Sequence, residues 1–344
     1  MKMNMTDKKS PYTITEKAAD YLAKIVETAT RLELGTEFKR DIRLHRENRM
    51  RTIHSSLAIE GNSLSLDEVT AVIQGKMVAG KQEEIKEVKC AYEAYDKIMT
   101  FDPYSIVDFL KAHKLITGDL LDESGRFRSG DAGVFDGEVV VHIGARPQFV
   151  PQLMEDLFEW AKESKLHPVL KSAVLHYEIE TIHPFADGNG RIGRLWQTLL
   201  LAKWNEIFAW IPMESVLYKN RQQYYQTIEM VRKGNDSGVF IEFTLFSLYE
   251  IIVEQEKHQV DRGLSEDVHK NERSLSEVLS EAEMKKVKPI LDYLKSHETI
   301  TPKEARNLTG KSAATVRRYL ALLCECKILE STGNTSAVLY KVVR

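Results

Sequence analysis

Between His183 and Arg194 the chain reads His-Pro-Phe-Ala-Asp-Gly-Asn-Gly-Arg-Ile-Gly-Arg. An imidazole, a carboxylate, a glycine-rich turn and two guanidiniums in one short segment suit a ligand that carries phosphate. Gly188, Asn189 and Gly190 fall where a helix would begin, so unpaired backbone N–H groups and the positive end of the dipole would draw an anion there. Glycine lets a phosphate approach the backbone closely, and such turns often need positive φ. Arg191 and Arg194 lie on one side of the first helical turn, and their forked guanidiniums match phosphate oxygens. Asp187 offers the hard oxygen that Mg²⁺ takes when it bridges a polyphosphate. His183 precedes the anion site and is neutral often enough near pH 7 to accept a proton from an incoming hydroxyl.

Two helices must position these groups. Leu175, Ile179 and Ile182 recur at helical spacing and predict a helix that Pro184 and the glycines end. Leu195, Leu199 and Ala202, with Trp196 and Leu200, predict a second helix, mostly apolar and therefore central to the core. Taken singly, the parts are ordinary: a histidine before proline is usually a loop or core residue, and Asp-Gly-Asn-Gly is usually a turn. Gly188, Gly190 and Gly193 also spell G-x-G-x-x-G. A dinucleotide site would require a preceding strand, and the run before this one reads as helix, which excludes it. The combination carries the argument.

Position by position, the segment resembles the H-x-F-x-[DE]-G-N-G-R-x-x-R signature of Fic-domain proteins. The resemblance extends over about residues 105–252, taking in Gly-Arg-Phe-Arg at 125–128, a β-rich stretch at 138–143 and Arg-x-x-Tyr-Tyr at 221–225. It implies a helical protein that transfers AMP from ATP to a Ser, Thr or Tyr hydroxyl of a target protein, its own chain included. By the same resemblance His183 would deprotonate the target hydroxyl and Asp187 would hold Mg²⁺ against the α- and β-phosphates. The amides of Gly188, Asn189 and Gly190 would cradle the phosphates. Arg191 and Arg194 would grip the outer phosphates, with Arg194 at the γ-phosphate, and Phe185 would brace the loop from the core. Tyr224 and Tyr225 resemble tyrosines near the family's nucleotide. Val139, Val140, Val141 and His142 resemble the flap that aligns a target segment by strand pairing, which needs only backbone hydrogen bonds.

A second signature lies upstream. Ser56-Leu57-Ala58-Ile59-Glu60-Gly61 resembles the S/T-x-x-x-E-G/N motif of the inhibitory helix in autoinhibited Fic proteins. By spacing alone, Glu60 is a solvated residue in a last helical turn, stopped by Gly61 and Asn62, with Ser65 to Glu68 capping the next helix. A carboxylate is poorly placed at a helix C-terminus, however. With the nucleotide motif present, a guanidinium partner is expected, and the resemblance makes that partner Arg194. At about 4 Å and a surface-like dielectric the pair is worth at most about 4 kcal/mol before desolvation, and less net. Restraint would therefore come from the chain itself.

The 344 residues, 43% hydrophobic and 29% charged, predict two or three domains with ordinary cores. Three cysteines, Cys90, Cys324 and Cys326, are too few and too badly spaced for a disulfide framework. With no signal-peptide pattern and no apolar run of membrane-spanning length, a reducing, cytoplasmic setting away from the membrane is expected. Net charge is −3, unevenly spread. From Met284 onward 12 Lys and Arg face 5 Asp and Glu, which leaves the rest of the chain at about −10.

That basic segment has its own pattern. Val287 to Leu294 predicts one helix. Thr301-Pro302-Lys303-Glu304 opens a second, which Gly310 ends, and Ser312 caps a third through Val316, Tyr319, Leu320 and Leu323. Ile328 to Glu330, a Gly333-Asn334 turn and Val338 to Val342 predict a hairpin. This resembles a winged helix-turn-helix, whose third helix would offer Lys311, Arg317 and Arg318 to DNA, or whose surface would contact protein instead.

The expected architecture is mainly α: a helical core with a short β-hairpin flap and a small α+β winged helix. Residues 1–104 would carry the inhibitory motif, 105–252 the catalytic core, 253–283 a helical linker and 284–344 the winged helix. Two functions compete: an ATP- and Mg²⁺-dependent protein adenylyltransferase, and a DNA-binding regulator whose core senses nucleotide. Within the first class, some relatives remove AMP, with the inhibitory glutamate as base on water, or transfer other phosphate-containing groups. A family habit of pairing through the core suggests a homodimer.

Overall fold

A computed structural model describes residues 12–35, 38, 41–136, 139–234, 236–278, 281–326, 328–332 and 338–343. The Gly333-Asn334 turn and the tip of the flap at 137–138 lie outside the described residues. Two compact units divide the chain, Met1–Val253 and Glu254–Arg344.

The first unit is built around two helices, α7 (Pro168–Ile182) and α8 (Asn189–Trp204). Both are buried nearly all round: α7 buries Leu170, Val174 and Tyr177 on one side and Leu175, Ile179 and Ile182 on another, and α8 buries Leu195, Trp196, Leu199 and Leu200. A helix apolar on every side must be covered on every side. One hydrophobic cluster does so with α1 (Glu16–Leu34), α9 (Met213–Lys219), α10 (Arg221–Gly234) and the start of α11 (Gly238–Val278). The other uses α3 (Leu66–Ile73), α4 (Gln82–Asp96), α5 (Ile106–Thr117) and α6 (Val150–Glu163). Helix α2 (Ile42–Ile59) joins both, giving Leu44 and Ile59 to the first and Ile53 and Leu57 to the second. Elements before and after residue 105 thus share their cores.

Local chemistry sets the ends that matter. After α2, Gly61 turns the chain at φ 96° and Ser65 caps α3 in a reciprocal box with Glu68. Strands β1 (Gly133–Asp136) and β2 (Val139–Ile143) form the antiparallel flap, Gly133 opposite Ile143 and Asp136 opposite Val139, with an irregularity between Val134 and Phe135. Among the described residues no helix is long and apolar enough to cross a membrane.

In the second unit α12 (Glu281–Leu294), α13 (Pro302–Thr309) and α14 (Ala313–Glu325) enclose a core of Val287, Leu291, Val316, Leu320 and Leu323. Thr301 and Glu304 form a capping box on α13 with Pro302 in its first turn, and Gly310 closes the helix in the left-handed region. Strands β4 (Leu329–Thr332) and β5 (Leu339–Val342) pair antiparallel. Beyond this hairpin a third strand, β3 (Thr299–Ile300), pairs with β5 to give the order β3-β5-β4. Two residues are too short a run to show alternation, so β3 leaves no trace in the sequence.

Candidate active site

Helix α7 ends at Ile182, and His183 follows with φ 54° and ψ 61°, the one non-glycine residue at positive φ among those described. That conformation costs on the order of 1–2 kcal/mol for a residue with a Cβ, so its neighbours must hold it. The His183 N–H returns to the Ile179 carbonyl at 2.9 Å. Arg128, 3% exposed, donates from Nε to the His183 carbonyl at 2.7 Å, while its backbone N–H reaches the Pro184 carbonyl at 3.0 Å. The same guanidinium donates to the carbonyls of Gly130 and Ala145. One buried arginine therefore ties the His183 turn to both ends of the flap. Arg128→Ala leaves these carbonyls without their charged donor, and we expect a loss of about 3 kcal/mol in stability, read as a lowered midpoint in denaturant. An unchanged midpoint would contradict the clamp.

The loop that follows is braced from within. Phe185 is fully buried and lies face to face with His113, the ring centroids 3.5 Å apart. Asn189 is buried as well: Oδ1 accepts the Phe185 N–H at 2.9 Å and Nδ2 donates to the Phe185 carbonyl at 2.8 Å. Its side chain closes the loop and is not offered to a ligand, which leaves its backbone amide, the group the sequence reading assigned, as the one to meet a phosphate. His113 accepts the Gly125 N–H on Nδ1 and faces the Asp187 carbonyl with Nε2, and burial lowers its pKa to about 4.

Gly188, at φ 81° and ψ 10°, starts α8 in a conformation that favours glycine. The Asp187 side chain is 63% exposed; Oδ1 accepts the Gly188 N–H at 2.6 Å and Oδ2 lies 3.0 Å from Arg191 Nη2. Arg191 is 4% exposed and donates from Nη1 to Glu87 of α4 at 3.2 Å, while its buried Nε has no hydrogen-bond partner among the described residues. A fixed cation beside the cradle thus keeps a donor unused.

Arg194 faces the other way. It is fully buried and donates from Nε to Ser56 Oγ at 3.2 Å, and from Nη2 to the Ser56 carbonyl at 2.9 Å and to Glu60 Oε1 at 2.7 Å. Burial by itself would weaken the guanidinium's hold on its proton, but the charge and hydrogen bond of Glu60 together with the charges of Tyr224 and Glu180 outweigh it, and the pKa is raised. The Glu60 carboxylate also lies on Gly190, where any Cβ would collide with it. A carboxylate therefore sits at the N-terminus of α8, against the backbone and on Arg194.

The last turn of α2 is held from two sides. Asn62 Nδ2 donates to Glu87 Oε2 at 2.8 Å, so Glu87 bridges the turn after α2 and Arg191. From α10, Tyr225 donates to the Ile59 carbonyl at 3.3 Å and Arg221 to the Ala58 carbonyl at 3.4 Å. Burial and the nearby Glu60 charge push the Tyr225 phenol up to about 12. Tyr224 does not reach the open side of the site. It is 1% exposed, with its hydroxyl 3.2 Å from His176 Nε2 and 3.4 Å from Glu180 Oε1, because α10 turns it into the core. On the flap, Val139, Val140, Val141 and His142 form β2, whose edge away from β1 carries no strand among the described residues.

Sequence reasoning brought together His183, Asp187, Gly188, Gly190, Arg191, Arg194, Ser56 and Glu60, and the structure gathers these around the start of α8. It did not find Glu87 or His113, which carry no motif, nor the role of Arg128, although Gly-Arg-Phe-Arg at 125–128 flagged the position. A separate groove of about 780 Å³ lined by Lys17, Tyr21, Gln223, Met230, Phe243 and Phe246 contains none of the motif residues.

Residues 103–201 match the Fic/DOC family. Over 97% of its length the chain aligns with the crystal structure of a Fic family protein from Desulfovibrio desulfuricans G20, covering 98% of that chain at a TM-score of 0.70 and 34% identity. It is 30% identical over 207 residues to protein adenylyltransferase Fic of Nematostella vectensis, through 56% of this chain and 45% of that protein. It is 26% identical over 213 residues to protein adenylyltransferase fic-1 of Caenorhabditis elegans, through 56% and 38%. The chain thus spans less than half the length of these curated relatives.

Proposed function

The chain belongs to the Fic family, and we propose that it is a protein adenylyltransferase, moving AMP from ATP to a Ser, Thr or Tyr hydroxyl of a protein under restraint by its own Glu60. One observation carries this reading: the Glu60 carboxylate rests on Gly190 and Arg194, so the cradle already holds an anion where a phosphate would bind. Arg191 keeps a further unused donor, its Nε, in the first turn of the same helix. The adenylyltransferase names of the relatives agree with it.

His183 accepts the proton of the target hydroxyl as its oxygen attacks the α-phosphorus. The bond from that phosphorus to the bridging oxygen breaks, and pyrophosphate leaves. Amides at the start of α8 and the two guanidiniums stabilise charge on the phosphate oxygens. Asp187 fits Mg²⁺, since its carboxylate is exposed beside the cradle and this ion takes most of its remaining ligands from phosphate and water. When bound, the ion would neutralise phosphate charge. The free edge of β2 suits an extended target segment added as a third strand. Chain labelled from α-labelled ATP but not from γ-labelled ATP supports the transfer; label from the γ-position would replace it with phosphoryl transfer. Loss of AMP from prelabelled protein would favour the removal reaction, with Glu60 as base on water.

A second activity is favoured by the second unit. Its order of elements and three-stranded sheet support a winged helix-turn-helix, with Lys311, Arg317 and Arg318 exposed at α14. We expect duplex DNA to bind with log K falling against log salt at a slope of about −3, one counterion per basic contact. Changing the three residues to Ala should flatten that slope. No shift of duplex at low salt would leave the unit as a protein-contact module.

A further inference from the structure

His113 is a buried group that the proposed reaction does not use, yet it touches the loop at its most sensitive peptide. Helix α5 carries it beneath the loop, 1% exposed, stacked on Phe185 with the ring planes 5° apart. The Gly125 N–H donates to Nδ1 at 3.0 Å. A ring that accepts at Nδ1 is neutral there and keeps its proton on Nε2. Nε2 lies 2.9 Å from the Asp187 carbonyl oxygen and so donates to it. Two backbone groups from different segments therefore set the tautomer, and the ring in turn sets the Asp187 carbonyl.

In a trans peptide the carbonyl and the following N–H point in opposite directions. With the Asp187 carbonyl turned down onto His113, the Gly188 N–H must face the other side, where it meets Asp187 Oδ1 at 2.6 Å. Gly188 has no Cβ to resist rotation of that peptide, and the loop places the rotating unit at the mouth of α8. We propose that His113 is a positioning residue whose Nε2–H latches the Asp187–Gly188 peptide with its N–H toward the phosphate cradle. Without the latch the peptide turns, and a carbonyl oxygen faces the phosphates in place of a donor. This rests on the nucleotide reading of the cradle.

The test uses the full chain carrying Glu60→Gly, with His113→Phe, His113→Gln and His113→Asn added singly. Phe keeps the stack on Phe185 and loses both hydrogen bonds. Gln keeps a donor near the Nε2 position, and Asn an acceptor near Nδ1. Self-labelling from α-labelled ATP should fall about 100-fold in kcat with Phe, the cost of one anion-hole donor, against a change of a few-fold in KM for ATP. Gln should return to within about tenfold of the parent, and Asn should not. The Gly188 amide resonance should shift on addition of ATP and Mg²⁺ in the parent and the Gln variant, and fail to shift with Phe. Unchanged kcat in the Phe variant, or recovery with Asn equal to that with Gln, would overturn the latch. A purely structural role would lower the unfolding midpoint and kcat together in all three. If the Glu60→Gly parent itself binds no ATP, it is the nucleotide reading that fails, and the latch loses its ligand with it.

Discussion

Glu60→Gly raises AMP transfer from ATP, by an expected factor of ten or more over the parent chain. The carboxylate lies 2.7 Å from Arg194 Nη2 and against Gly190. It therefore holds both a guanidinium and a piece of backbone that, on the proposed reading, an outer phosphate would need. The gross attraction of such a pair is at most about 4 kcal/mol at intermediate dielectric. The Glu60 side chain is 36% exposed, so solvent screening lowers the net value to about 1–2 kcal/mol. That range corresponds to roughly five- to thirtyfold in ATP capture. Steric clearance of the Gly190 face adds to it. Arg194 itself stays in place without Glu60, because Ser56 still accepts from it through Oγ and the backbone carbonyl. The change removes the occupant and leaves the site standing. Binding of ATP and the rate of labelling are to be measured side by side in the two chains, and equal labelling would remove the restraint from the proposal.

His183→Ala in the Glu60→Gly chain lowers transfer to below about 1% while ATP binding stays within threefold. General-base assistance is worth about 10²–10⁴ in rate, and neither His113, buried beneath the loop, nor His176, in the core, is placed to supply it. Binding persists because the cradle, Arg191 and Arg194 do not depend on the imidazole. The backbone at this position sits at φ 54° for either residue, and Arg128 holds the carbonyl in both, so folding should differ by no more than about 1 kcal/mol. Calorimetric titration with ATP, beside the labelling assay, separates the two effects. Transfer by the alanine variant within tenfold of its parent would remove His183 from the role of base. A joint loss of binding and transfer would show that the imidazole shapes the site.

Much of the local structure was legible in the residues. The resemblance implied the mainly α class, and helical spacing and the capping patterns at Ser65 and Thr301, where the neighbouring side chains decide the outcome, agreed with it. The break after Ile182 and the start at Gly188 were legible for the same reason: proline and glycine act on their own backbone. Tyr224 and Tyr225 were not separable. Adjacent helical residues point about 100° apart, and which one faces the core depends on what α10 packs against.

By itself, then, the sequence determined which chemical groups stand at the start of α8 and that a turn presents its amides there, because those features are fixed within a few residues. The resemblance had paired Glu60 with Arg194, but tertiary structure decided what holds each of the other groups and brings that pair together. Arg191 and Arg194 are three residues apart, yet one reaches Glu87 across 104 positions and the other Glu60 across 134. Which carboxylate meets which guanidinium is set by how α2 and α4 pack on α8, an outcome of burying apolar faces that no spacing within the motif encodes.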